Sequence, residues 1–169
     1  VLNAKKLVPL GLTLFIVAAD QITKALIVSA IPLHRIGWSC CEGALRIIHT
    51  RNLGIAFSMG VDLPEALRVV LFVFLPIVVL GVLVFYYLKS DEFTPFQGWC
   101  LAGVLGGGLG NLIDRVLRDR GVVDFIDVKF YGIFGLERWP TFNVADASVV
   151  ISGILLLLSL FIGGRERYR

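Results

Sequence analysis

Four stretches of this chain are each long and apolar enough to cross a bilayer, and nothing constrains its fold more. They run approximately from Leu7 to Val28, Leu67 to Leu88, Gln97 to Leu117 and Phe142 to Gly163, and a hydrocarbon core about 30 Å thick takes about 20 helical residues. With no water in that core to satisfy backbone groups, such segments must be helices. Of the 169 residues, 57% are hydrophobic and only 17% charged, which takes the chain out of the range of soluble domains. Little sequence remains between the spans, and no linker or repeat divides it. The expectation is one integral membrane domain over residues 1–169, all-α in its spans, with longer connections at 29–66 and 118–141.

Lys5 and Lys6 before the first apolar run give it the look of a signal peptide, but its length and the internal Asp20 and Lys24 favour a retained span. An even number of spans puts both termini on one side. If that side is cytoplasmic it holds Lys5, Lys6, Lys89, Arg165, Arg167 and Arg169, and the other ten of the sixteen basic residues lie elsewhere. The raw positive-inside count opposes this orientation. It is expected nonetheless, because Ser29–Ala66 is long, long segments translocate largely regardless of charge, and the outer basic residues are matched by acids.

The modest net charge of +3, without a basic cluster, gives no reason to invoke nucleic acid. Cys40, Cys41 and Cys100 have neither a disulfide framework nor metal-ligand spacing. With His34 and His49 the only histidines and no H-E-x-x-H, no metal and no cofactor is expected. G-x-S-x-G is absent as well.

The polar residues inside the spans are few, and each needs a reason because intramembrane charge is costly. Asp20 and Lys24, four apart, share a helix face; a structural ion pair is at least as good a reading as a catalytic one. Gly106 and Gly110 have the spacing that lets helix backbones approach. Asn111, Asp114 and Arg115 follow at i, i+3 and i+4, and read equally as a substrate-positioning wall or an interfacial anchor. The loop from Arg118 to Thr141 is rich in Val, Phe, Tyr and Trp and reads as a short extended segment at the interface.

Asp146 in FNVADA is first of all a capping residue, because Asn143 three positions earlier completes a capping box and an acid suits the positive end of a helix. Asp124, just past the third span, arrives at similar depth if both helix ends lie at one surface. Two such acids would share a proton, one charged to activate water and one neutral to bind the scissile carbonyl.

The ordered blocks DQITK (20–24), RNLGIAFS (51–58), GNLIDR (110–115), VVDFID (122–127) and FNVADA (142–147) closely resemble the bacterial lipoprotein signal peptidase (signal peptidase II) family. The resemblance implies an aspartic endopeptidase with four transmembrane helices in the bacterial cytoplasmic (inner) membrane, multi-pass, both termini cytoplasmic and the active site at the extracytoplasmic face. It would cut diacylglyceryl-modified prolipoproteins before the lipidated cysteine and release the signal peptide. By match to the family's motifs, Asp124 and Asp146 would be catalytic; Asn52, Asn111, Arg115 and Asn143 would meet substrate; Asp20, Lys24, Asp114 and Gly54 would support them. The resemblance further implies a small extracytoplasmic β-cradle from about Leu33 to Phe57, a short surface helix from Pro64 onward, membrane lipid as surroundings and globomycin-type inhibitors as ligands. Action as a monomer is expected.

Overall fold

The computed structural model describes residues 4–54 and 59–166, with side chains described through Ile162. Ile55–Ser58 of the second motif block, the end of the expected cradle, and Arg167 and Arg169 of the orientation count lie outside the described residues.

Among the described residues, four helical segments are long and apolar enough to cross a membrane: Ala4–Ala30, Glu65–Lys89, Pro95–Leu117 and Val144–Ile162. The first comprises α1 (Ala4–Leu7) and α2 (Leu10–Ala30), interrupted around Pro9, which lacks the N–H that a continuous helix would use there. The second comprises α3 (Glu65–Val69) and α4 (Leu75–Lys89), joined by a π-helical turn over Val70–Phe74. This corrects one expectation. No separate surface helix starts at Pro64 among the described residues; Pro64 is the N-cap of α3, and that helix runs straight on into the second span because an unbroken apolar run follows it.

The third span, α5 (Pro95–Leu117), is the central one. In its most apolar window 56% of residues are buried, against 17% or less in the other three spans, which turn most of their surface to lipid. Its start is fixed by a capping box in which Gln97 N donates to Thr94 Oγ1 at 3.2 Å and Thr94 N donates to Gln97 Oε1 at 3.0 Å. Hydroxyls from both sides then bond its backbone: Thr13 of α2 donates to the Ala102 carbonyl and Ser148 of α6 (Val144–Glu166) to the Gly103 carbonyl, each at 2.8 Å. Such approach requires missing side chains. A Cβ on Gly107 would meet the Ala145 carbonyl oxygen of α6, and one on Gly106 would lie 2.8 Å from Cβ of Ile16 in α2. The close-packing reading of the glycine run is therefore what the helices do, against both neighbours.

At one end of the bundle Lys6 Nζ reaches the Ser90 carbonyl at 2.8 Å and Asp91 at 2.7 Å. At the opposite end, β1 (Ile36–Cys40), β2 (Leu45–Asn52), β3 (Val122–Ile133) and β4 (Leu136–Arg138) form an antiparallel sheet in the order β1-β2-β3-β4. The loop expected to hold only a short extended segment thus carries a twelve-residue strand and its return. Register places Asn52 opposite Val122 and Thr50 opposite Asp124. Phe125 N and Ile126 N both donate to the Phe142 carbonyl, at 3.0 and 2.8 Å, which pins the segment entering α6 beside β3. Those bonds put the third residue of β3 next to the first turn of α6.

Candidate active site

Asn143 and Asp146 cap α6 reciprocally. Asp146 N donates to Asn143 Oδ1 at 2.9 Å, and Asn143 N donates to Asp146 Oδ2 at 3.2 Å. A further orphan N–H of that helix end is satisfied from another span: Ala145 N donates to Asp20 Oδ1 at 3.0 Å. The capping reading of Asp146 holds, and it leaves Oδ1 of the same carboxylate available to a different partner.

That partner is Asn111 of α5, whose Nδ2 donates to Asp146 Oδ1 at 2.7 Å. Asn143 Nδ2 in turn donates to Asp124 Oδ1 at 2.7 Å and to Asn111 Oδ1 at 3.1 Å. The two carboxylates, 22 residues apart in sequence, are thus joined through two carboxamides that are joined to each other. Asp124 is only 3% exposed. Burial first, and then the charge of Asp146, push its carboxyl up to about 7, against the opposing pull of hydrogen bonds from Asn143 and Asn52 and the charge of Lys24.

Behind the carboxamides lies an ionic cluster with no exposed side chain among Asp20, Lys24 and Asp114. Lys24 Nζ contacts Asp20 Oδ2 at 2.8 Å, Asp114 Oδ2 at 3.1 Å and Asn111 Oδ1 at 3.0 Å, one acceptor for each of its three N–H bonds. The ammonium therefore fixes which way the Asn111 amide faces: oxygen toward Lys24, NH₂ toward Asp146. Asp114 also accepts from Val123 N at 3.0 Å, tying α5 to the start of β3. The polar stripe of α5 consequently splits, with Asn111 and Arg115 facing the cavity and Asp114 turned into the cluster.

Sequence reasoning passed over two members of this cluster. Gln21 Nε2 donates to Asp20 Oδ2 and Asp114 Oδ1, both at 3.1 Å, and to the Gly110 carbonyl at 3.0 Å. Arg118 Nε donates to Asp114 Oδ1 at 3.0 Å. Arg118 stands four residues after Asp114, a spacing that signals such a pair, whereas Gln21 gives no local signal.

Asn52 and Gly54 complete the wall from the β2 side. Gly54 N donates to Asn52 Oδ1 at 2.9 Å, and the Gly54 carbonyl accepts from Arg115 Nη2 at 3.0 Å. Asn52 also hydrogen-bonds Asp124, so it touches the carboxylate pair as well as the cavity. Arg115 lies over the Phe72 ring, 5.8 Å from its centroid.

The carboxylates open into a cavity of about 940 Å³. Asn52, Asn111, Arg115, Asp124 and Asp146 form its polar floor, and Phe142 and the Val149–Ile151 stretch of α6 extend it as an apolar wall. A buried acid, its carboxyl raised by burial, beside a half-buried second acid and an apolar wall suits amide hydrolysis on a membrane-embedded peptide.

Comparison with known proteins agrees with this chemistry. Residues 12–162 match the family model for Signal peptidase (SPase) II. The lipoprotein signal peptidase of Treponema pallidum (strain Nichols) is 44% identical over 158 residues, covering 94% of this chain and 85% of that protein. That of Treponema denticola is 46% identical over 165 residues, covering 96% and 95%, and that of Borrelia garinii subsp. bavariensis is 47% identical over 139 residues, covering 82% and 81%. Two solved structures of bacterial membrane enzymes superpose with TM-scores of 0.77 and 0.75 at 31% and 32% identity, covering 91% and 90% of this chain and 87% and 92% of theirs. With a family model matched from the first span to the fourth, this chain belongs to the signal peptidase II family.

Proposed function

We propose that this protein is the membrane aspartic endopeptidase that removes the signal peptide from diacylglyceryl-modified prolipoproteins, cutting before the lipidated cysteine. The observation that carries the reading is the carboxylate pair Asp124 and Asp146, held by mutually bonded carboxamides at the floor of a cavity that is polar at the sheet end and apolar along α6.

Asp146 receives one N–H donor on each oxygen and serves as the charged member. It takes a proton from water as the oxygen attacks the carbonyl carbon preceding the cysteine. Asp124 carries the shared proton and donates a hydrogen bond to the carbonyl oxygen as negative charge develops there. Collapse of the tetrahedral species breaks the C–N bond, and the proton held by Asp146 passes to the leaving amine. Arg115 and Asn52 hold the substrate backbone, while Asn111 and Asn143 keep the acids aligned. Asp20, Lys24 and Asp114 support that alignment from behind, with Gly54 anchoring Arg115.

The site stands at the extracytoplasmic face of the bacterial inner membrane, with both termini cytoplasmic and the sheet serving as the cradle over the peptide. The lipid on the cysteine stays in the bilayer beside α6, its burial contributing about 0.8 kcal/mol per CH₂. The enzyme works as a monomer, and globomycin-type cyclic peptides compete for the same cavity.

The test is incubation of the purified protein with a diacylglyceryl-modified prolipoprotein, read as a size shift on a gel, alongside Asp124→Asn and Asp146→Asn. Cleavage by the parent and by neither variant is expected; undiminished cleavage by either variant rules out the pair.

A further inference from the structure

On the far side of Arg115 from the carboxylates lies a second pocket, of about 300 Å³, between the start of the second span and the end of the third. Three guanidinium groups line it: Arg68, Arg115 and Arg118. Arg115 and Arg118 are each engaged elsewhere, by the Gly54 carbonyl and by Asp114. Arg68 differs, since among the described residues its buried Nε has no hydrogen-bond partner. A buried unpaired donor on a cation is costly. Arg68 also stands one turn into the Glu65–Lys89 helix, at the end where the dipole disfavours a cation.

The acids at this pocket are Glu65 and Asp119, both exposed at the rim, and among the described residues neither is within ion-pair distance of an Arg. Around the rim the balance stays positive. Burial, followed by repulsion from Arg118 and Arg120, lowers the pKa of neighbouring Arg51 despite the opposing charge of Asp114. Below the charged groups the lining becomes apolar, through Val69, Phe72 and Val116, and Val116 and the adjoining Leu117 are exposed on the lipid side of α5.

We propose that this pocket binds the phosphate of a phospholipid from the surrounding leaflet, with Arg68 and Arg118 taking the phosphate oxygens and the acyl chains lying over Val69, Val116 and Leu117. A planar guanidinium fork matches a phosphate geometrically, and the depth of the pocket, between two helix ends, is that of a headgroup. Because Arg115 lines both this pocket and the active-site cavity, a bound phosphate also holds that side chain from behind.

Binding is measured by native mass spectrometry of the full chain in neutral detergent, titrated with dioleoyl phosphatidylglycerol, with dioleoylglycerol and with inorganic phosphate. One tightly retained phosphatidylglycerol is expected, with dioleoylglycerol at least about tenfold weaker, as loss of a charge-assisted contact implies. Arg68→Gln weakens phospholipid retention by about the same factor, and Glu65→Gln, which removes a rim acid, strengthens it. These opposite signs cannot both come from damage to the fold. Equal retention of dioleoylglycerol, or variants that both leave retention unchanged, would overturn the proposal in favour of unspecific apolar contact. Displacement of the lipid by equimolar inorganic phosphate would overturn it in favour of a site for free phosphate.

Discussion

Asn143 donates through Nδ2 to Asn111 Oδ1 at 3.1 Å, so the amide holding Asp124 also holds the amide holding Asp146. Neither acid is positioned alone. The pair is set by a contact between the first residue before one helix and the interior of another, which makes its alignment a property of how α5 meets α6.

Asn143 therefore has two separable jobs. Asn143→Ala removes the cap, at a cost of about 1 kcal/mol to the helix, and also the donor to Asp124. A misplaced acid of this kind lowers kcat/KM by about 100-fold. Asn143→Ser restores a capping oxygen but not the amide donor, so it should recover thermal stability while cleavage stays low. Recovery of both together in a melt and a cleavage assay would count against the amide's role.

Asp124 ties both activity and stability to pH, and both fall as pH rises. If it carries the shared proton, kcat/KM falls as pH rises through about 7, the limb belonging to the pair as a unit. Losing the Asn143 donor, which favours the charged form, moves that limb to higher pH. For stability, a carboxyl raised in the folded state above its unfolded value binds its proton more tightly when folded. Its penalty is absent below about pH 4, grows as pH rises, and levels off above about 7. Asp124→Asn removes the penalty, so the inactive variant should melt a few degrees higher at about pH 8 and show no gain at about pH 4. Thermal melts at the two pH values decide this.

Much of the site is legible in the sequence, because its signals are local. Span length gave four helices, the three-residue spacing gave the Asn143–Asp146 cap, and the four-residue spacing gave Asp20 with Lys24. What stayed hidden depends on pairing distant segments. Asp20 capping Ala145 N joins residues 125 apart, and nothing near either residue announces it. Lys24 bonding Asn111, and Gln21 bonding Asp114, are of the same kind. The length of β3 was missed for a related reason, since a strand extends as far as its partners permit and those partners come from elsewhere in the chain. The surface helix that the resemblance implied from Pro64 is instead the start of the second span, because a Pro at that place can begin either a short helix or a long transmembrane one.

Lys24 gives a test of how the ionic cluster is held. Lys24→Met leaves Asp20 and Asp114 buried without their common counter-charge, and breaking such a cluster costs about 3–5 kcal/mol. Asp20→Asn keeps an acceptor for Ala145 N while removing one of the stranded charges, so the Asp20→Asn, Lys24→Met double variant should regain part of the loss. The double-mutant cycle, read from the fraction of folded protein after heating in detergent, must return a coupling between the two sites. Strict additivity would mean that the two side chains do not act as a pair.

Gly110 marks where the catalytic floor and the helix packing become one constraint. A Cβ there would lie 2.7 Å from Asp20 Oδ2 and 3.1 Å from Ala145 Cβ, so it presses on an acid of the cluster and on the first turn of α6 at once. Overpacking of this kind costs about 1–3 kcal/mol. Relief by moving α6 outward would carry Asp146 away from Asn111, which is the more damaging consequence. Gly110→Ala is therefore expected to lose activity out of proportion to stability. Gly81→Ala is the control, because nothing lies within 4 Å of the added methyl and alanine in a helix interior gains about 0.5–1 kcal/mol over glycine. Melting temperature and kcat/KM measured together on both variants distinguish a shifted carboxylate from general loosening: parallel losses in Gly110→Ala would indicate that the approach of α5 and α6 sets stability alone, whereas a fall in kcat/KM beyond that of the folded fraction ties that approach to the alignment of the acids.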